Sequence, residues 1–341
     1  MTYNMYGLDQ VANFRDLCGD DEHPMKVKNG YLKRNIIYRT SHLHFGTTRD
    51  IGFIRDVIGI KTYIDLRSDE GTMERLDGEV FDTYGPSPIP RVEQGIYRRR
   101  GETRRINLPL NKYVSPRKLT QAERDGDKHA LPDTWFQLKQ RDPVTLRYIP
   151  FGKDGATMEE RLFINNEGSL HFCQDIILDC LKEFTYEQNY PMLFGCATGK
   201  DRTGLLGCLL LGALGANDED IIKDYLISNK SVIHNGALAR RNFIIARNMY
   251  PEEYEDMKED DMPFSPASSD SKNQSMASVY RSVMVKTIEV IKRDFGGFKK
   301  YFDLIGFTKK DRKRFRKLAV VKHPEKKKDI HISQYQPTSK L

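Results

Sequence analysis

Pro191-Met192-Leu193-Phe194-Gly195-Cys196-Ala197-Thr198-Gly199-Lys200-Asp201-Arg202-Thr203-Gly204 decides how the rest of the chain is read. Residues 191–194 are an apolar run of strand length, and Thr203–Leu214 is an apolar run of helix length closed by Gly215. A loop between a strand end and a helix N-terminus turns backbone N–H groups inward, and the helix dipole adds positive potential there. The segment between the two runs therefore predicts an anion nest. Ala197 and Gly199 are small enough to let the backbone approach a tetrahedral anion. Arg202 opens the helix, where its planar fork can hold two anion oxygens, and Lys200 adds a second cation. The phosphate-binding set read from the sequence is Ala197, Thr198, Gly199, Lys200, Asp201 and Arg202.

Cys196 stands at the entrance of that loop. A field that holds an anion also favours a thiolate over a thiol. A thiolate there would attack a phosphorus atom in line and form a phosphocysteine, while the N–H groups and Arg202 stabilise the equatorial oxygens. This chemistry requires no metal and no cofactor. A buried structural cysteine is the bland reading, and it suits Cys208 inside the apolar run. It does not account for Arg202 six positions after Cys196, with Gly199, Lys200 and Asp201 between. A nucleotide-binding loop of the form Gly-x4-Gly-Lys-Ser/Thr fails at two places: Phe194 occupies the first glycine position, and Asp201 replaces the metal-binding hydroxyl.

Working outward, the first third has an α/β rhythm. Residues 35–39 read as a short strand after a turn at Asn29-Gly30, Arg49–Ile58 as an amphipathic helix ending near Gly59, and Lys61–Leu66 as a buried strand. A helix between two short apolar strands predicts a parallel sheet. Ile106–Leu110 offers a further strand inside a proline-rich span, residues 85–166, which reads as an insertion: a lid, a binding loop or surface. Helical patterns follow over Leu170–Phe184, from a cap at Asn217, over Met276–Phe295 and from Lys309. Residues 251–275 read as an acidic and Ser-rich loop, and the final dozen residues as a frayed tail.

The 341 residues are 38% hydrophobic and 30% charged, with a formal net charge of +7. Such a chain can bury a large core, and its mild excess of positive charge suits anionic substrates. No apolar run is long enough to span a bilayer, and Met1–Gln10 lacks the pattern of a secretory signal, so a cytoplasmic protein is expected. Five cysteines without a CxxC pair do not make a disulfide framework or a zinc site. The lone Trp135 and the lack of alternating aromatic and basic residues argue against nucleic acid.

The loop Cys196-Ala197-Thr198-Gly199-Lys200-Asp201-Arg202-Thr203-Gly204 resembles that of the microbial atypical tyrosine/lipid phosphatases, a branch of the Cys-x5-Arg superfamily. Residues 13–17 (Asn-Phe-Arg-Asp-Leu), 38–41 (Tyr-Arg-Thr-Ser), 64–68 (Ile-Asp-Leu-Arg-Ser), 224–229 (Asp-Tyr-Leu-Ile-Ser-Asn) and 301–306 are similar to further segments of that family. The resemblance implies a protein tyrosine phosphatase-like α/β fold: a central, mostly parallel sheet flanked by helices, with an insertion and a helical C-terminal region. It implies a catalytic domain over residues 8–318, a tail over 319–341, and phosphotyrosine proteins or phosphoinositides as substrates. Two positions depart from the family pattern. Gly195 stands where a histidine is usual, and Asn111 stands where many relatives place an acid. Asp201 is then the leading general acid, and bracing the loop is its alternative role. Arg15, Arg39 and Arg67 either line an anionic pocket or pair with carboxylates such as Asp16 and Asp65. The basic segment Lys309–Lys317 is either a solvated helix face or a weak contact for acidic membrane lipids.

Overall fold

A computed structural model describes residues 6–41, 43, 46–67, 103–110, 158–196, 198–231, 278–326 and 330–335. Ala197, Asn111, the 251–275 loop and most of the 85–166 span lie outside the described residues. The central sheet is built on β4 (Ile37–Thr40), β5 (Thr62–Asp65) and β7 (Met192–Gly195), all buried along their length. Strands covered on both faces are mostly apolar, as Met192-Leu193-Phe194 is, and the charged side chains buried here, Arg39 and Asp65, are each met by an ion-pair partner. β1 (Arg15–Asp16) and β6 (Arg104–Asn107) complete the sheet in the order β1-β4-β7-β5-β6. β1 pairs antiparallel and every other neighbour pairs parallel.

Alternation along the strands sends side chains to two separate cores. Tyr38, Leu193 and Tyr63 lie in one row and join an apolar cluster with Phe14, Phe53 and Ile54. Phe194 and Ile64 face the larger cluster beneath α2 (Met158–Phe172), α3 (Gln174–Glu183) and α4 (Asp201–Leu214). α1 (Thr48–Gly52) is held by a capping box of Thr47 and Asp50, widens into a π turn over Phe53–Ile58 and ends at Gly59 with φ of 72°. α5 (Asp218–Ile227) is capped by Asn217, as its sequence predicts. α6 (Arg281–Phe295), α7 (Phe298–Ile305) and α8 (Lys309–Ala319) form the C-terminal helical region. A small antiparallel sheet of β2 (Lys26–Val27), β3 (Gly30–Leu32) and β8 (Val320–Val321) ties the end of α8 to the N-terminal part.

Two expectations need correction. The strand expected at Ile106–Leu110 stops at Asn107, because Pro109 has no N–H for a ladder. Within the span 85–166 the described residues are the edge strand of the central sheet with its continuation to Leu110 and the start of α2, and the rest lies outside the described residues. The final dozen residues are not simply frayed. Ile332 is buried in the second core, its N–H donates to Tyr6 O at 2.9 Å, and Arg49 holds its carbonyl at 2.8 Å. One apolar side chain docked in a distant slot leaves no periodic mark in the sequence.

Asp16 is buried at the end of β1, where it accepts from the N–H groups of Asn35 at 2.6 Å and Cys18 at 3.1 Å. Burial outweighs those bonds and pushes its carboxyl from 3.8 up to about 6. The folded chain therefore keeps a proton that the unfolded chain releases between about pH 4 and pH 6. This contribution to stability is full below pH 4 and lost as pH rises through 6, a change on the order of 3 kcal/mol. Denaturant midpoints of the wild type should fall across that window relative to Asp16→Asn. A pH-independent difference between the two would contradict the assignment.

Candidate functional site

The loop Cys196–Lys200 leaves the C-terminal end of β7, the strand between β4 and β5, and enters α4. This is the carboxyl edge of a parallel sheet, where open α/β folds bind ligands. Gly195 pairs with Thr40 on one side and Asp65 on the other. A Cβ at position 195 would sit 2.7 Å from Thr40 O and 2.9 Å from its methyl carbon. Residue 195 is therefore glycine because the end of β4 closes on it, and a histidine there would have to displace backbone. Cys196 follows directly and is 1% exposed.

Gly199 is the turning point of the loop. Its φ is 68°, and a Cβ there would lie 2.5 Å from Thr40 C, Thr40 O and Ser41 N, so only glycine fits. Its carbonyl accepts from Asn13 Nδ2 at 2.8 Å and from Arg39 Nη2 at 3.0 Å. The Thr198 carbonyl accepts from Asn13 Nδ2 at 3.3 Å. In a planar trans peptide the following N–H points the opposite way. Capturing both carbonyls on one side thus turns the N–H groups of Gly199 and Lys200 to the other, which is the geometry an anion nest needs.

Behind these donors lies a buried ionic cluster. Asp224, on α5, takes Arg39 Nη1 on Oδ2, Arg15 Nε on Oδ1 at 3.3 Å and Arg15 Nη2 on its backbone carbonyl at 2.9 Å. Arg15 also donates to Asn13 Oδ1, closing the circuit back to the loop. Arg15, Arg39 and Asp224 are all 4% exposed or less. The sequence offered Asp16 and Asp65 as partners for these arginines. The structure gives Arg15 and Arg39 to Asp224 instead, and only Arg67 to Asp65. Arg105 shares Asp65 at 2.7 Å. Burial would raise the Asp65 carboxyl, but the two guanidiniums prevail and hold it well below the usual carboxylate range.

Arg202 Nη1 donates to Leu66 O at 3.3 Å, which fixes the predicted anion clamp beside the end of β5. Lys200 is 3% exposed, and its Nζ donates to Ser278 O at 3.1 Å and lies 3.7 Å from Asp201 Oδ2. Among the described residues, Asp201 Oδ1 and Thr203 Oγ1 are buried without a hydrogen-bond partner. Cys208, deep in α4, has its thiol pushed up by burial, in keeping with a structural role. Among the described residues no cluster of His, Cys, Asp or Glu is arranged to hold a metal.

Cys196, Thr198, Gly199, Lys200, Asp201 and Arg202 are thus brought to one sheet edge, as read from the sequence. Asn13 and Asp224 carry the loop's support and had been given no role. They stand in quoted motifs, yet their partners are some 185 residues away in sequence, so no local pattern could pair them.

This fold and loop define an α/β protein of the Cys-x5-Arg class. The chain belongs to the tyrosine phosphatase family, whose sequence profile matches residues 6–321. It is similar to a protein of Cupriavidus necator provisionally named a tyrosine-protein phosphatase, with 49% identity over 58 residues, 16% of this chain and 21% of that protein. It is also similar to the inositol diphosphatase DSP3 of Arabidopsis thaliana, with 30% identity over 127 residues, 36% of this chain and 54% of that protein. The chain thus spans about a fifth and about half of the length of these relatives.

Asp224→Asn leaves two buried guanidiniums sharing a neutral partner. It should cost about 3–5 kcal/mol in urea unfolding and weaken inorganic phosphate binding; unchanged values of both would show that the cluster does not brace the loop. Gly195→Ala should lower stability by roughly 1–3 kcal/mol through the clash with Thr40, checked by thermal unfolding.

Proposed function

We propose that this protein is a metal-independent phosphomonoester hydrolase that works through a phosphocysteine at Cys196. The observation that carries the reading is the outward capture of the Thr198 and Gly199 carbonyls, which aims loop N–H groups at an anion beside Cys196 and Arg202. The Cys196 thiolate attacks phosphorus, the S–P bond forms, and the P–O bond to the leaving group breaks. Arg202 and the loop N–H groups stabilise the equatorial oxygens. Asp201, whose Oδ1 has no hydrogen-bond partner among the described residues, gives its proton to the leaving oxygen and then takes one from the water that cleaves the S–P bond.

The substrates proposed are phosphotyrosine proteins, phosphoinositides, or both. The similarity to a tyrosine-protein phosphatase and to an inositol diphosphatase supports testing each class. Membrane contact through α8 would not bring the loop to lipid. Arg316 on α8 donates to Leu214 O at 2.7 Å, at the C-terminal end of α4, and the loop is at the other end. A helix of that length separates them by about 20 Å. Arg312 and Phe315 are also spent on packing, which favours the solvated-face reading of this basic helix. No helix among the described residues is long and apolar enough to cross a membrane.

Gly195, which leaves no room for the usual histidine, favours a second reading as a phosphate-binding module with little turnover. The two separate in one experiment. Purified protein with EDTA should release phosphate from a phosphotyrosine peptide or an inositol phosphate, and Cys196→Ser should abolish release while phosphate binding persists. Full activity in Cys196→Ser would sink the mechanism. Phosphate binding without release from either substrate class would leave the binding module.

A further inference from the structure

Asn229, just after α5, makes a two-way clasp on the chain entering α6. Its Nδ2 donates to Val279 O at 2.9 Å, and its Oδ1 accepts from Val279 N at 2.8 Å. The neighbouring carbonyl, Ser278 O, is the acceptor that holds Lys200 Nζ at 3.1 Å. Lys200 is the loop's own lysine, and its tip also lies 3.7 Å from Asp201 Oδ2. A lysine on a four-carbon stem has many rotamers, and holding its head in one place is otherwise costly in entropy. Here the acceptor is backbone, and backbone can be fixed only by what holds its neighbours. Asn229 is exposed, and its amide fixes the peptide on which Lys200 rests.

We infer that Asn229 is a positioning residue for the phosphate loop: by clasping Val279 it sets the Ser278 carbonyl against Lys200 and so holds the loop lysine over the anion site. The inference rests on the proposed phosphate-binding role of Lys200. Without the clasp, Ser278 O drifts and the Lys200 ammonium loses the tether that keeps it beside Asp201 and the anion. The clasp is symmetrical in its use of the amide, since one end donates and the other accepts. Asn229→Asp keeps the acceptor for Val279 N but loses the donor to Val279 O, so it should lie between wild type and Asn229→Ala.

The test is a double-mutant cycle in the full chain, read by calorimetry with inorganic phosphate and by kcat and KM. Asn229→Ala should weaken phosphate binding by about five- to tenfold, close to the effect of Lys200→Met, with Asn229→Asp intermediate. In the Lys200→Met background, Asn229→Ala should add less than about twofold. Effects that multiply independently, or an Asn229→Ala protein with a lowered melting temperature but unchanged phosphate affinity, would overturn the inference. Should Asn229→Ala not fold, Asn229→Asp with and without Lys200→Met closes the same cycle. Wild type that binds phosphate but hydrolyses no substrate defeats the proposed activity and leaves this inference to be judged on binding. Wild type that binds no phosphate defeats both.

Discussion

One carboxylate, Asp224, balances two buried guanidiniums, and the shape of the loop between β7 and α4 depends on that balance. Arg15 and Arg39 are almost wholly removed from water, and each such ion costs several kcal/mol to desolvate. They stay because most of their donors meet fixed acceptors; Arg39 Nε alone of them is left without one among the described residues. Arg39 divides its fork between Asp224 and the Gly199 carbonyl, and Arg15 divides its own between Asp224 and Asn13. The cluster keeps one unit of positive charge in excess, directly behind the loop. It holds the loop's peptide dipoles in one orientation, and under the proposed function that spares the site from reorganising during a reaction.

Close approach of backbone to backbone is the second constraint. The loop lies against the end of β4, so positions 195 and 199 can carry no side chain. At Gly199 the left-handed backbone makes the same demand independently. The same geometry accounts for the missing histidine. In this chain the space a side chain would occupy before the cysteine is filled by Thr40, and loop support comes from Asn13 and Arg39.

The strand, loop and helix at 191–214 were legible because local chemistry specifies them: an apolar run, a glycine-rich turn and a second apolar run with Gly215 in the left-handed region at its close. β4, β5 and the cap at Asn217 follow similarly short-range rules. The partners of Arg15 and Arg39 were not legible. Asp16 and Asp65 are near in sequence, but Asp16 is used up by backbone N–H groups and Asp65 by Arg67 and Arg105. The nearest carboxylate in sequence is not the nearest in space once a sheet has been ordered β1-β4-β7-β5-β6.

By itself the sequence determined the chemical inventory of the site: a cysteine, two cations and an acid, at the spacing a strand-to-helix loop requires. It also determined that the loop would meet a helix N-terminus, because both flanking runs are set by local periodicity. Only the tertiary structure decided what holds the loop in shape. Asn13 and Arg39 converge on Gly199, Asp224 holds Arg39, and Asn229 holds the peptide that meets Lys200. Those bonds join residues far apart in the chain, and a hydrogen bond depends on distance in space, which no residue spacing encodes.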